Sequence, residues 1–488
     1  MKQLSLAELK TRAELAMREN NFVVENSPSV EAELNAIDSD KTKFDKSGVR
    51  DLRQLLWSSI DNESSRDLDQ IEYAEKLPNG DIKILIGIAD VDAYAPKNSA
   101  IDRFARENTI TVYTEGEVFP MLPAELSNNL TSLLPGVDRL AVVVEMTICQ
   151  NGDVCDANIY RALTHNYAKL SYEHVGAWLD ENASAPEIFE TVKGFREQIL
   201  LQNEAAARLY KLRQAKGALE FETIESAAIK SDGKVVDLQT VLPNTAQLII
   251  ENFMIAANVE TAEFLESKGI AAIRRVVKTP ARWRGIREIA TKFGENLPEE
   301  PDARALSRFL ETRRQADALH FPDLSLSIIK LLGAGEYVVQ TPDEDTDGHF
   351  GLAVRDYAHS TAPNRRYADL IVQRLVKAAL ENAASPYSID ELQAIAARCN
   401  ERESAARKIE RLMRKIVAAS VMRNRIDQVF KAIVTGITPG GTFARILRPP
   451  VDGRIVENET NLKVGDQISV RLTDVDVEKG FIDFACER

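Results

Sequence analysis

Apolar residues recur at helical spacing over residues 5–19, where Leu6, Leu9, Leu15 and Met17 stand among charges, so the chain is expected to open on an amphipathic helix. Residues 26–47 are polar and without a period; they read as a linker or a short, poorly packed segment. From about 54 to 164 the pattern shortens to strands. KILIGIADVDAYA (83–95) and RLAVVVEMTI (139–148) are rich in β-branched residues, and Asn-Gly at 79–80 and 151–152 predicts hairpin turns. Helical spacing returns over 166–215. A strand pair follows, ETIESAAIK and KVVDLQTV, joined by Ser231-Asp232-Gly233. From 244 the pattern is mainly helical: 244–269 stops at Gly269, and 364–382 and 388–428 are further helices. Over 429–488 five short apolar runs, FKAIVTGI, GTFARIL, GRIV, QISVRLTDVD and GFIDFA, alternate with Gly, Pro and Asp. That spacing predicts a small all-β barrel of the OB type.

Composition narrows the class. The 488 residues are 44% hydrophobic and 28% charged, which is globular and excludes collagen-like and wholly disordered chains. Lys and Arg total 61 against 75 Asp and Glu, a net charge of −14. An acidic total argues against indiscriminate polyanion binding, but local basic patches decide contacts with nucleic acid. The four cysteines, Cys149, Cys155, Cys399 and Cys486, are too few for a disulfide framework and lack the spacing of zinc sites. A reducing cytoplasm is the expected setting. No run of about 18 uncharged apolar residues suggests a membrane span. The N-terminus, with acids in its helix pattern and no apolar stretch, is a poor signal peptide.

The densest chemical signal is SSIDNESSRDLDQIEYAE (58–75), in which Asp61, Asp67 and Asp69 form a D-x₅-D-x-D pattern followed by Gln70. An extended segment puts Asp67 and Asp69 on one side. The Asn-Glu-Ser-Ser stretch is turn-like and can fold Asp61 back beside them. Clustered carboxylates repel unless solvated or neutralised, and a hard cation such as Mg²⁺ would neutralise them. By spacing alone a solvated polar loop is the better reading.

The same residues resemble the signature of the ribonuclease II/ribonuclease R (RNB) family. Further ordered blocks resemble it too: GIADVDAYAPKNSAIDRFAREN (87–108), VYTEGEVFPMLPAELSNNLTSLLPGVDRLAVVVEM (112–146) and HFGLAVRDYAHSTAPNRRYADLIVQRL (349–375). The resemblance implies an α+β chain: an N-terminal helical segment and linker (1–47), an RNB catalytic domain of mixed sheets and helices (48–428), and an OB-type RNA-binding barrel (429–488). It implies processive hydrolysis of single-stranded RNA from the 3′ end to nucleoside 5′-monophosphates, with Mg²⁺, or Mn²⁺ in its place. A cytoplasmic monomer without a membrane partner is expected. The paired cold-shock barrels found upstream in many relatives do not fit in 47 residues, so a short form is expected.

Carried over by resemblance, Asp61, Asp67, Asp69 and Gln70 take the metal positions, with Asp69 catalytic, and Arg365 takes the position of the catalytic arginine. Tyr113 takes that of the aromatic that stacks on a terminal base, and Glu410 that of an acid near the RNA 3′ end. Arg366 joins the RNA contacts. Unaided by the resemblance, Glu410 reads as a helix-surface acid pairing with Arg407, Arg411 or Arg414, and Tyr113 as a core tyrosine. Gln70 departs from the family, which usually has an acid there. It brings a neutral carbonyl oxygen and one charge fewer. Glu72 is a nearby acid, but two residues on along a strand is too far for a simple swap. A rival therefore stands: a catalytically weakened RNB-fold RNA-binding protein. A second rival is a metal-dependent phosphodiesterase acting on DNA or a small substrate. Two basic stretches offer phosphate contacts: 274–287 holds six basic residues and no acids, and 401–431 nine basic and four acidic. The aromatics Phe443, Phe481 and Phe484 divide between a stacking platform and the barrel core. The five histidines show no metal spacing, and His349 and His359 are expected to be structural.

Overall fold

Ser5 starts the first helix, α1 (Leu6–Glu19), through a capping box: its side chain accepts from the Glu8 amide while the Glu8 carboxylate accepts from the Ser5 amide. Where a linker is expected, a second helix, α2 (Pro28–Ala36), forms instead. Ser27 caps it, proline sits in its first turn, and Val30 is buried. The computed structural model describes residues 4–37, 48–223, 225–241, 243–342, 344 and 347–487, so the later part of the expected linker lies outside the described residues.

The strand-rich stretch builds one six-stranded sheet from β1 (Val49–Asp51), β2 (Trp57–Asp61), β3 (Gln70–Lys76), β4 (Ile82–Ala89), β7 (Asp138–Ile148) and β8 (Val154–Ser171). Between β4 and β7 lie α3 (Ala100–Asn108) and a two-stranded hairpin, β5 (Val112–Tyr113) with β6 (Val118–Phe119). Both Asn-Gly hairpins form, with Gly80 and Gly152 at positive φ in the β3–β4 and β7–β8 turns. The first half of β8 pairs with β7. Its second half, Asn166 to Ser171, pairs with β2 and so links both ends of the sheet. This is why the helical spacing read over 166–215 begins late: the sheet edge holds the chain extended to Ser171, and the helices are α4 (Tyr172–Leu179), α5 (Ile188–Thr191) and α6 (Phe195–Lys216). At the β7–β8 tip a disulfide joins Cys149 to Cys155, a local bridge and not a framework.

The expected strand pair appears as β9 (Glu225–Ser231) and β10 (Lys234–Val241). Helix α7 (Thr245–Ser267) runs from an Asn244 capping box to Gly269. A second small sheet, β11 (Ala272–Val276) with β12 (Glu336–Gln340), encloses α8 (Trp283–Lys292), α9 (Ala303–Ala316) and α10 (Phe321–Leu332) in sequence. Helices α11 (Tyr367–Leu380) and α12 (Ile389–Met422) follow. The C-terminal strands β13 (Val429–Thr438), β14 (Gly441–Ile446), β15 (Val451–Glu457), β16 (Gln467–Asp476) and β17 (Phe481–Glu487) close into a barrel in the order β13-β14-β15-β17-β16.

The main core joins Ile71, Ile84, Ile86 and Val143 of the large sheet to Phe253 of α7 and Leu370 of α11. A second core is shared by Leu9 and Met17 of α1, Ile409 and Met413 of α12, and Val434, Ile455 and Phe484 of the barrel. The barrel is therefore not a detachable bead: removing it would strip apolar cover from α1 and α12. Of the three barrel aromatics, Phe484 is core, Phe481 is exposed and Phe443 is half-buried. Among the described residues no helix is long and apolar enough to cross a membrane.

Candidate active site

The acidic segment is held straight from both sides before it reaches β3. The Leu68 amide donates to Ser132 Oγ (2.9 Å), Ser132 Oγ donates to the Arg66 carbonyl (2.6 Å), and the Leu133 amide donates to the Leu68 carbonyl (3.0 Å). The Ala89 amide at the end of β4 closes on the Asp69 carbonyl (2.9 Å). Upstream, the Asn-Glu-Ser-Ser turn forms as its composition predicts. Asp61 Oδ1 accepts from the Asn62 amide (2.6 Å) and from Ser65 Oγ (3.0 Å), and Lys169 Nζ donates to the Glu63 and Ser65 carbonyls (2.7 and 2.5 Å). Asp61 is thereby folded back toward Asp67, and burial raises its carboxyl above the usual range.

Asp69 is buried at 2% exposure. Its Oδ1 accepts from the Asn364 amide (2.9 Å) and its Oδ2 faces Arg365 Nε at 3.3 Å. Burial pushes its carboxyl up to about 7, with the Arg365 charge and the Asn364 amide pulling the other way. The Arg365 side chain is 47% exposed, so one side of the guanidinium meets Asp69 while the rest remains accessible. The turn presenting it is tied to the loop that leads into β5: the Thr111 amide donates to the Arg365 carbonyl (3.0 Å) and the Tyr367 amide to the Thr109 carbonyl (2.8 Å).

That tie delivers Tyr113. Its hydroxyl donates to Asp67 Oδ2 (3.2 Å), while its ring is partly exposed. Its amide donates to Glu410 Oε1 (3.2 Å). Helix α12 thus brings Glu410 to the site, and burial raises its carboxyl despite that amide. Of the arginines read as its partners along the helix, Arg414 and Arg407 act on Glu410 as nearby charges, while Arg407 pairs directly with Glu403 at 2.7 Å. Arg366 turns inward, donating through Nε and Nη2 to Asp369 (2.8 and 2.7 Å), while Asp369 also accepts from the Ala362 amide (2.8 Å). Gln70 begins β3 opposite Ile88 and is buried. A cavity of about 620 Å³ lies beside Asp67 and Tyr113, with Lys10 and Arg18 of α1, Arg66 and Phe119 in its walls.

Sequence reasoning missed several supports. Ser132 and Lys169 hold the acidic segment by bonds to backbone atoms, which leave no motif. Tyr172 at the start of α4 shares the field of Asp61, Glu72 and Arg365, and burial pushes its hydroxyl above the usual range. Part of the 274–287 basic stretch is interior: β11 is buried throughout, and Arg275 makes a two-pronged bond to Glu403 (2.8 and 3.0 Å). A run of cations in sequence does not distinguish an internal ion pair from a phosphate track. His349 and His359 are structural, His349 accepting from the Leu352 amide and His359 bonding the Tyr337 hydroxyl.

The donor set suits a divalent cation in kind and charge. Asp61 and Asp69 share the field of the Arg365 guanidinium and of Asp67, and the buried Glu72 nearby has two carboxylate oxygens without a hydrogen-bond partner among the described residues. It is not a preformed cage, since among the described residues no three His, Cys, Asp or Glu side chains stand together as a ligand set.

Comparison with known proteins shows what the chain is similar to. Ribonuclease R of Vibrio parahaemolyticus is 29% identical over 512 residues, covering 96% of this chain, and the chain spans 60% of that relative's length. Ribonuclease R of Thermotoga maritima is 30% identical over 490 residues, covering 93% of this chain and 67% of the relative. The structure of Mycoplasma genitalium RNase R in complex with ribose-methylated single-stranded RNA shares the fold, with a TM-score of 0.89 at 24% identity over 98% of this chain and 78% of that one. The model of the RNase II-type exonuclease C-terminal S1 domain matches residues 428–487. The RNB domain model matches residues 49–382, more than half of the sequence, and the chain belongs to the RNB family.

Proposed function

We propose that this chain is a processive 3′-to-5′ exoribonuclease that hydrolyses single-stranded RNA to nucleoside 5′-monophosphates. The observation that carries the reading is the meeting of Arg365 with Asp69, at 3.3 Å, from opposite ends of the RNB domain. Asp67 and Tyr113 line a cavity large enough for a nucleotide, and Glu410 holds the Tyr113 amide. The family name of the relatives and the RNA held by the Mycoplasma fold support it.

Members of this family depend on a divalent metal. We assign Mg²⁺ to Asp61, Asp67 and Asp69, with Mn²⁺ as its substitute; when bound, such an ion neutralises phosphate charge and activates water. The residues of the chain do the rest. Arg365 donates to the non-bridging oxygens as negative charge develops on them. Tyr113 offers its exposed ring to the terminal base, a contact indifferent to base identity and so suited to repeated steps. Glu410 fixes Tyr113 through the backbone amide. Arg366 braces the turn that presents Arg365, a positioning role in place of the RNA contact expected of it. Choice of RNA over DNA would come from contacts to the 2′-hydroxyl. The working unit we assign is a cytoplasmic monomer.

Single-turnover degradation of end-labelled single-stranded RNA, with product lengths resolved, tests the reading. One-nucleotide steps from the 3′ end are the expected result, and binding without cleavage would give the case to the weakened RNA-binding rival that Gln70 keeps alive. Gln70→Asp is expected to shift the Mg²⁺ activation curve to lower concentration, because added negative charge strengthens a hard-cation site. The maximal rate is free to move either way, since tighter metal need not favour the transition state. An unmoved curve would place Gln70 outside the reach of the ion.

The barrel is tested without deleting it, because its core is shared. Lys431, Arg454 and Lys463 are exposed on it. Replacing all three with serine is expected to weaken long RNA and to lower the salt slope of binding by about 1 for each lost phosphate contact, while short oligonucleotides are cut at the wild-type rate. An unchanged slope in fluorescence anisotropy would assign the barrel another partner.

A further inference from the structure

Glu72 is a buried acid near the site that the assigned roles leave unused. It lies two residues beyond Gln70 on β3, so strand alternation puts both side chains on the same face. It is 0% exposed, and neither carboxylate oxygen has a hydrogen-bond partner among the described residues. Ser58 of β2 stands directly opposite it in the register, and the Ser58 hydroxyl is likewise buried and unpartnered. Ser58 and Glu72 form the single paired position between these two strands. From that point β2 runs on to Asp61 and β3 runs back to Gln70 and Asp69, so Glu72 sits at the base of the fork whose prongs carry the acids. A buried carboxylate without donors is costly unless a proton or a cation meets it, and a purely structural role at this spot would be served by an apolar residue or an amide.

We propose that Glu72 is a further residue of the metal site, supplying from two positions along β3 the negative charge that Gln70 lacks. The inference rests on the exoribonuclease reading for the identity of the ion, a hard divalent cation. The Glu side chain is one methylene longer than Asp, and its place at the fork sets it below the acids, not beside them. It therefore acts as a relocated acid, not as an in-place replacement.

The test is Mn²⁺ binding to the full chain by calorimetry, with melting temperature recorded with and without Mn²⁺ and RNA cleavage run in parallel. Glu72→Gln keeps the shape and removes the charge. It is expected to lower Mn²⁺ affinity by at least about 10-fold, the scale seen for supporting groups at metal sites, and to shrink the Mn²⁺-induced rise in melting temperature. Without metal it should melt no lower than wild type, because an unpaired buried carboxylate has gone. Adding Gln70→Asp to Glu72→Gln should recover most of the lost affinity. Should Glu72→Gln fail to fold, Glu72→Asp, which retains the charge but draws it back, is expected to give an intermediate loss. Wild-type affinity in whichever variant folds, or no recovery in the double variant, overturns the proposal. So does a wild-type chain that binds no Mn²⁺. Cleavage keeps the two readings apart: RNA cut normally with unchanged Mn²⁺ affinity in Glu72→Gln overturns Glu72 alone, whereas loss of Mn²⁺ affinity in a chain that never cuts RNA supports Glu72 and overturns the exoribonuclease.

Discussion

Asp69→Asn is expected to lower turnover by on the order of 10³-fold or more, the scale of losing one member of a catalytic constellation, while RNA affinity stays within about threefold, because distant phosphate contacts carry most of it. Asparagine keeps the shape and can still accept the Asn364 amide through its own carbonyl oxygen. It removes the charge that faces Arg365 and turns one oxygen into a donor pointing at a donor. Folding does not confound the result. The Asp69 carboxyl is pushed up to about 7 by burial, so in the wild type the folded state binds this proton more tightly than the unfolded chain does. Its contribution to stability therefore falls as pH rises from about 4 toward 7. The neutral variant lacks that slope and should melt at least as high as wild type at pH 8. Single-turnover cleavage, anisotropy and thermal melting read the three parts separately. A wild-type rate in the variant would sink the assignment of Asp69.

Arg365→Ala is expected to slow the chemical step by on the order of 10²-fold or more, the usual size for losing a donor to developing negative charge. The guanidinium is placed for it: anchored to Asp69 on one side, 47% exposed on the other, and carried by a turn tied to the Tyr113 loop. A second readout follows from its effect on Asp69. Arg365 is the strongest influence pulling that carboxyl down, so its loss lets the carboxyl rise further, and the rising limb of the pH–rate profile should move to higher pH. Arg365→Lys should recover part of the rate, since a point charge returns without the planar fork. If only KM changes and the pH profile stays put, Arg365 is a wall of the RNA channel and not a catalytic group.

Much of the fold is legible from neighbours in sequence. Asn-Gly turns close both expected hairpins, Ser5 and Asn244 cap their helices, Gly269 ends α7, and five short strands make the C-terminal barrel. These features depend on backbone preferences and on bonds made within a few residues, so the local pattern is sufficient. The acid turn belongs with them: Asn62 and Ser65 bond Asp61 from one and four residues away. The family resemblance carried the roles of Arg365, Tyr113 and Glu410, which no spacing along the chain could supply.

Tertiary structure decided what each charged or extended residue meets. The Tyr113 amide reaches Glu410 across 297 positions, and the Asn364 amide reaches Asp69 across 295. The chain stays extended to Ser171 because β8 finds β2, and the helical pattern yields there to a sheet edge. Arg275 looks like its basic neighbours in sequence, yet it is consumed by Glu403 of α12, 128 positions away, whereas Arg366 is taken up locally by Asp369, three residues on. Glu72 is one more acid in an acidic stretch until it is buried opposite Ser58 of β2, with no hydrogen-bond partner among the described residues. Local sequence specifies backbone conformation because that free energy is local; the environment of a charge depends on which distant surfaces close over it, and only the folded chain brings those surfaces together.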